Sequence, residues 1–250
     1  LIRILHSKLK EKNMLRYCRL SVMDANTIDE AYQGLLNYEK AGDILSKISR
    51  IDVHSYGGTL REPIHQFAVA HDKALWQSES GPLGVGGSNE HQMMVMAQRV
   101  ITDLREMKCS AWIDWQLAND KSPLWGMIIG EYDDASNPIR KGPSFYLRVQ
   151  FSRYLKQNYT VIQSNLPNTI AAISPDGKEV VIVVVNEKHH PQNYSLNLSN
   201  FQSIKHVEMV KTSVFKSTIK QNEISEITVF GKSMKFEVLA QSVSSLILHL

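Results

Sequence analysis

Four short apolar runs of this chain end in side chains that can do chemistry. They are Met23-Asp24-Ala25-Asn26, Val53-His54-Ser55-Tyr56-Gly57-Gly58, Ser78-Glu79-Ser80-Gly81 and Ala111-Trp112-Ile113-Asp114-Trp115-Gln116. The third is the most informative. The run Ala74–Ser78 finishes on a lone carboxylate, Glu79, and a Gly-Pro-Leu-Gly-Val-Gly-Gly loop follows at once. If the four runs are neighbouring parallel strands, their ends share one rim, and the C-terminal rim is where (β/α) barrels place their chemistry. That rim would hold carboxylates, an imidazole, a phenol and two indoles. Sugars suit such a set, because their hydroxyls meet acids and their C–H faces meet an indole. Cleaving a glycosidic bond needs two carboxyl groups, one as acid and one as base or nucleophile. A hydrogen bond from Tyr56 would aim an oxygen of Glu79 as a nucleophile requires.

Each residue also has an ordinary reading. Glu79 could be a solvated acid at a strand end. His54 could be a satisfied core histidine, and Tyr56 could cap a loop with its hydroxyl paired. Asp24 fits a helix N-cap, where Asp is favoured. The glycines could serve only in turns. Trp112 and Trp115 fall on opposite faces of a strand, so one should pack while the other faces a cleft. The ordinary readings leave unexplained why all four strand ends carry such residues together.

Two rhythms position these residues. The first is helix, then strand and helix in alternation. Leu1, Ile4, Leu5 and Leu9 recur at helical spacing, and Tyr17–Met23 is expected as a strand. Thr27-Ile-Asp-Glu30 has the form of a capping box, with the helix ending near Gly42. Ile51–His54 is the next strand. A helix with Pro63 in its first turn carries Ile64, Phe67, Ala68 and His71. Ala74–Ser78, an amphipathic helix over Gln92–Lys108, a strand over Cys109–Trp115 and a closing helix over Gly142–Gln157 complete this part. From about Tyr159 the spacing changes to short strands: Tyr159–Gln163, Thr169–Ser174, Glu179–Asn186, Tyr194–Leu198, His206–Thr212, Ile224–Val229, Lys235–Leu239 and Val243–Leu250. Asp176-Gly177 signals a two-residue hairpin. The expectation is a parallel α/β part followed by an antiparallel β-sandwich.

Composition narrows the classes. The chain has 250 residues, 43% of them apolar, and a net charge of +3, values typical of a globular protein. Lys and Arg are scattered rather than striped, which argues against a nucleic-acid partner. The longest apolar run, Val180–Val185, is far too short to span a membrane. Cys18 and Cys109, the two cysteines, show neither metal spacing nor a disulfide framework, and both are expected to be buried free thiols at strand starts. No Gly-x-Ser-x-Gly elbow is present, and the glycine loop 81–87 lacks the lysine of a phosphate loop. No cofactor is implied. Sequons stand at Asn158, Asn193 and Asn197. The first residue is Leu and already reads as helix, so the chain is expected to be a fragment, and the lack of a leader pattern carries no information about secretion.

The ordered set Val53-His-Ser-Tyr56, Leu75-Trp-Gln-Ser-Glu-Ser-Gly81 and Ala111-Trp-Ile-Asp-Trp-Gln116, continuing into Phe145-Tyr-Leu-Arg-Val-Gln-Phe-Ser-Arg-Tyr154, resembles glycoside hydrolase family 30. The resemblance runs from near Tyr17 onward. It implies a (β/α)8 TIM barrel with an attached β-sandwich, and retaining hydrolysis of β-linked oligo- or polysaccharides by a secreted or periplasmic parent enzyme. On this likeness, residues 1–157 are the C-terminal half of the barrel, about strands 5–8, and residues 158–250 the sandwich. Glu79 matches the nucleophile on the seventh strand. His54 and Tyr56 match active-site residues of the sixth, and Trp115 matches the eighth-strand aromatic facing the sugar. Asp24 becomes a candidate cleft residue at the end of the fifth. The segments 23–30 and 55–58 look most like the endo-β-1,6-galactanase type. One departure matters. The family's acid/base is a Glu after Asn on the fourth strand, and the Asn-Glu pairs at Asn89, Asn186 and Asn222 are out of place for it. The chain by itself is therefore expected to be inactive. A non-catalytic carbohydrate-binding protein with a decayed barrel is the alternative.

Overall fold

The computed structural model describes residues 1–134, 136–201, 203–215, 220–227, 229 and 231–250. Among the described residues the chain is a mixed α/β protein with four sheets, and it divides into two compact units. One comprises residues 1–84 and 102–115, the other residues 85–101 and 116–250.

The first unit contains α1 (Ile2–Glu11), β1 (Ser21–Ala25), α2 (Ile28–Lys40), β2 (Arg50–His54), α3 (Arg61–Ala70), β3 (Ala74–Glu79) and, later in the chain, β4 (Ala111–Trp112). The strands lie in the order β1-β2-β3-β4, every pair parallel. Helical crossovers make this order possible, since parallel neighbours cannot be joined by a tight turn. The capping box at Thr27 and Glu30 is formed, with reciprocal bonds of 3.2 and 3.1 Å. Ile28, Ala31 and Leu35 of α2 and Ile64, Phe67 and Ala68 of α3 share one core with Ile51, Val53 and Leu75 of the sheet. Burying each large aliphatic chain stabilises this layer by roughly 1.5–3 kcal/mol. The π-helical turn Asp103–Met107 places Met107 in the same core.

The second unit contains α4 (Asn89–Thr102), whose last residue belongs to the first unit. It also holds β5 (Ala118–Asp120), β6 (Ile128–Gly130), β7 (Arg140–Lys141), α5 (Pro143–Ser152), β8 (Thr160–Ile162), β9 (Thr169–Ile173), β10 (Glu179–Asn186), β11 (Gln192–Asn197), β12 (His206–Ser213), β13 (Lys220–Glu226), β14 (Ser233–Val238) and β15 (Ser242–His249). A six-stranded antiparallel sheet runs β13-β12-β15-β10-β9-β8, and β11 pairs with β14. Val180, Ile182, Val184, Met209 and Leu246 point from the large sheet into a core shared with Met234 and Val238 of β14. The opposite face of that sheet meets α5, where Gln150 donates to Thr212 (2.8 Å) and Ser245 donates to Gln150 (2.7 Å). Burial on both faces explains the unbroken apolar run of β10.

Several expected elements differ. The strand expected from Tyr17 begins at Ser21, because Tyr17 and Cys18 turn back to bond Met14. Cys18 is therefore half-buried, while Cys109 is buried as expected. The helix expected over Gln92–Lys108 starts at Asn89, converts to the π turn after Thr102 and stops at left-handed Lys108 (φ 50°). The strand expected over Cys109–Trp115 pairs only at Ala111 and Trp112. The closing helix is shorter, Pro143–Ser152. The Asp176-Gly177 turn is a four-residue loop: Ser174 closes it by bonding Glu179, and Asp176 accepts from Ser174 and Lys178. The three-stranded sheet β5–β7 was not expected. The strand expected at Ile224–Val229 spans Lys220–Glu226 instead, and Thr228 lies outside the described residues.

Candidate active site

The C-terminal ends of β1, β2 and β3 carry two irregularities that shape the site. Between β2 and β3 the register steps from Val53↔Gln77 to His54↔Glu79, so Ser78 is an extra residue. Between β1 and β2 it steps from Met23↔Asp52 to Ala25↔Val53, so Asp24 is extra. Simple alternation would put Glu79 on the face of Leu75 and Gln77, which is the helix-packed side. The bulge at Ser78 turns Glu79 to pair with His54 instead. Re-aiming a side chain beside a site is what bulges do. Asp24 and its neighbour Met23 both have positive φ, 42° and 92°, a strained conformation for residues other than glycine.

These turns converge four side chains. Tyr56 Oη donates to Glu79 Oε1 at 2.9 Å. His54 Nδ1 lies 3.7 Å from the same oxygen, and His54 Nε2 lies 3.5 Å from Asp24 Oδ1. The imidazole and phenol meet edge to face at 6.0 Å. Ser78 Oγ donates to Asp24 Oδ1 at 2.6 Å, bridging strands that are not neighbours. Glu79 is a quarter exposed and Asp24 more than half exposed. Asp24 is not the helix cap it could have been, since Thr27 holds that place.

Below this cluster, buried Asp52 pairs with Arg50 at 2.5 and 2.8 Å, and the Arg50 guanidinium lies 3.7 Å over the Trp76 ring. That pairing holds the Arg50 charge more firmly than usual, chiefly through the Asp52 hydrogen bonds.

The Tyr56 loop is fixed from outside. Gly57 O accepts from Ile28 N at 3.0 Å, and Asp29 Oδ1 accepts from Thr59 N (2.7 Å) and Leu60 N (2.9 Å). Gly58 has φ +101°, and a Cβ there would stand 2.7 Å from Asp29 Oδ1 and 2.9 Å from Asp29 N. Arg61 donates to Gly58 O (2.9 Å) and to the fully buried Asp103 (2.8 Å), which also accepts from Trp112 Nε1 at 2.9 Å. So Trp112 packs inward, while Trp115 is 47% exposed and is tied to the rim by its backbone N–H on Ser80 O (2.7 Å). The structure thus brings Asp24, His54, Tyr56 and Glu79 together and stands Trp115 three residues beyond the end of the adjoining strand β4. Sequence reasoning missed Ser78, Asp29, Arg61 and Asp103. Only Ser78 had a signal, its place next to Glu79. Among the described residues no group of three or more His, Cys, Asp or Glu is arranged to hold a metal, and no helix is long and apolar enough to cross a membrane.

No protein-family model and no curated protein matches the chain. Solved structures do. A family 30 subfamily 8 xylanase from Clostridium acetobutylicum superposes with a TM-score of 0.75 at 18% identity, over 100% of this chain and 61% of that one. A family 30 endoxylanase from Clostridium papyrosolvens gives 0.72 at 17%, over 100% and 61%. An endo-β-1,6-glucanase gives 0.65 at 15%, over 98% and 52%. The chain therefore spans about three-fifths of the two xylanase chains. Its fold is glycoside hydrolase family 30-like.

Proposed function

We propose that this chain carries the nucleophile of a retaining glycoside hydrolase acting on β-linked glycans. The observation that carries the reading is the convergence of Tyr56 and His54 on Glu79 at the end of a parallel strand. In this reading Glu79 Oε1 or its partner oxygen attacks the anomeric carbon, the glycosidic bond breaks, and a glycosyl-enzyme ester forms that water then hydrolyses. Tyr56 holds the carboxylate in place for attack, and its hydroxyl steadies the ester oxygen afterwards. His54 and Asp24 line the sugar site beside Glu79, and the exposed Trp115 ring receives the C–H face of the sugar.

The parallel sheet β1–β4 is, on this proposal, the second half of a (β/α)8 barrel. Residues 1–157 would form the barrel part and residues 158–250 a β-sandwich. The family-like fold and the β1-β2-β3-β4 order support this. The proton donor is proposed to come from outside residues 1–250, because the Glu after Asn that the family resemblance calls for has no counterpart in place within them. The chain alone would then hydrolyse unactivated glycans poorly, since acid catalysis is worth roughly 10²–10⁴ in rate. We further propose a secreted parent with endo-β-1,6-galactanase-type specificity, which rests on the resemblance of residues 23–30 and 55–58.

The test uses activated 2-fluoro-glycosides of xylose, glucose and galactose, as mono- and disaccharides. Their leaving group departs without a proton, so the reagent reads the nucleophile separately from the acid. Peptide mapping should find the sugar on Glu79. A label on another acid would reject the assignment. Glycan binding with no label, in the chain and in its full-length parent, would favour a carbohydrate-binding protein.

A further inference from the structure

His54 has a carboxylate in front of each ring nitrogen, and a neutral imidazole can donate to only one of them. Which one matters, because a hydrogen bond from Nδ1–H would occupy a lone pair of the proposed nucleophile. The structure contains a device that bears on this choice. Asp24 is more than half exposed, and an exposed carboxylate ordinarily turns to water. Here the extra residue of β3, Ser78, reaches over β2 and donates to Asp24 Oδ1 at 2.6 Å, a short charge-assisted bond. That same oxygen is the one facing His54 Nε2 at 3.5 Å. On the other side Glu79 Oε1 already accepts the Tyr56 hydroxyl at 2.9 Å. His54 Nδ1 is buried 3.7 Å away, with no hydrogen-bond partner.

We infer that Ser78 and Asp24 are positioning residues that draw the proton of His54 to Nε2 and keep an imidazole N–H off the Glu79 carboxylate. The role assigned to Glu79 rests on the reading above, whereas the placement of the proton does not. Two extra residues on strands flanking β2 meet over its tip. Each bulge alone only displaces a side chain; the pair fixes an acceptor on one side of the ring. The other charged groups on these elements are Arg50 and Asp52, which pair with each other, and Arg50 also lies within electrostatic range of Asp24. Tyr56, edge-on to the ring, donates away from it, to Glu79. A hydroxyl is the needed group at position 78, and threonine can supply one in a strand at little cost.

The experiment labels histidine rings with 15N and reads both nitrogens of His54, assigned by loss of its signals in His54→Gln. Wild type should show a protonated Nε2 and a bare Nδ1. Ser78→Ala should move the proton in part to Nδ1, and Ser78→Thr should restore the wild-type pattern. In parallel, the rate constant for labelling of Glu79 by the activated 2-fluoro-glycosides should fall about tenfold in Ser78→Ala, with a changed pH profile, and recover in Ser78→Thr. A merely structural serine would shift neither the tautomer nor the pH profile. A protonated Nδ1 in wild type, or an unchanged tautomer in Ser78→Ala, overturns the inference. If the tautomer moves as expected but no reagent labels Glu79 in any variant, the inference on the proton stands and the nucleophile reading fails.

Discussion

Removing Arg61 tests how the site is held from beneath. Asp103 is fully buried and accepts from Arg61 Nε at 2.8 Å and Trp112 Nε1 at 2.9 Å. The Arg61 side chain is itself mostly buried and also donates to Gly58 O. Arg61→Ala leaves a carboxylate in the core with an indole N–H as its remaining partner from this set. Breaking a buried pair from one side costs about 3–5 kcal/mol, and the lost bond to Gly58 adds about 1 kcal/mol. With a urea m-value of about 2 kcal/mol/M, the midpoint should drop by roughly 2–3 M. Asp103→Asn retains an acceptor for Trp112 but sets an amide against the guanidinium, at about 1–3 kcal/mol. The double variant Arg61→Met/Asp103→Leu buries no charge and should be more stable than Arg61→Ala alone. Chemical unfolding of wild type and the three variants reads these costs side by side. If Arg61→Ala costs under about 1 kcal/mol, or if the double variant is less stable than Arg61→Ala, the Asp103 charge is not held by Arg61 and the reasoning is wrong.

Other expectations concern the loop and the remaining titratable groups. Tyr56→Phe removes the donor to Glu79 Oε1 and should slow labelling of Glu79 by about tenfold or more, as a lost bond to a charged group worth about 1.5–3 kcal/mol requires. An unchanged rate would show that Tyr56 does not aim the carboxylate. Gly58→Ala forces a side chain onto the Asp29 backbone in a left-handed conformation. It should lower the melting temperature by an amount matching about 1–3 kcal/mol of strain, and an unchanged melting temperature would mean the loop can adopt another path. Burial, and then the Asp103 charge, push the Cys109 thiol up to about 12. A thiol reagent at pH 8 should therefore react with half-buried Cys18 and reach Cys109 only on unfolding. Burial alone would raise the Glu179 carboxyl, but bonds from Tyr159 and Lys156 outweigh it and hold it below its usual range. A depressed folded-state value gives stability that is present above the unfolded carboxylate range and lost as pH falls through the folded one. Wild type should thus exceed Glu179→Gln in stability at pH 7, and the gap should close toward pH 3 in parallel thermal melts.

The residues of the site were legible in the sequence, but the turn that makes them a site was not. Strand-end residues announce themselves by type: an acid after Ala74–Ser78, a His-Ser-Tyr-Gly-Gly tail after Val53, an Asp after Val22-Met23. Parity along β3, however, points Glu79 to the same side as Leu75 and Gln77, into the helix layer. Only the pairing of two β3 residues against one step of β2 brings it round to His54. A bulge depends on the neighbouring strand's register, and register is a property of two segments, so one segment read alone cannot show it. The same limit hid the Ser78–Asp24 bond, which joins residues 54 positions apart across an intervening strand. Arg61 and Asp103 lie 42 positions apart, and nothing local to either marks it as a charge that will be buried. Periodic signals behaved differently. The capping box at Thr27, the apolar stripe of α3 and the unbroken run of β10 each depend on spacing within one element, and each formed where expected. What the chain writes locally is therefore the inventory of chemistry and the elements that carry it. The aim of that chemistry is written in two single-residue insertions, one per flanking strand, whose meaning appears only when β1, β2 and β3 lie side by side.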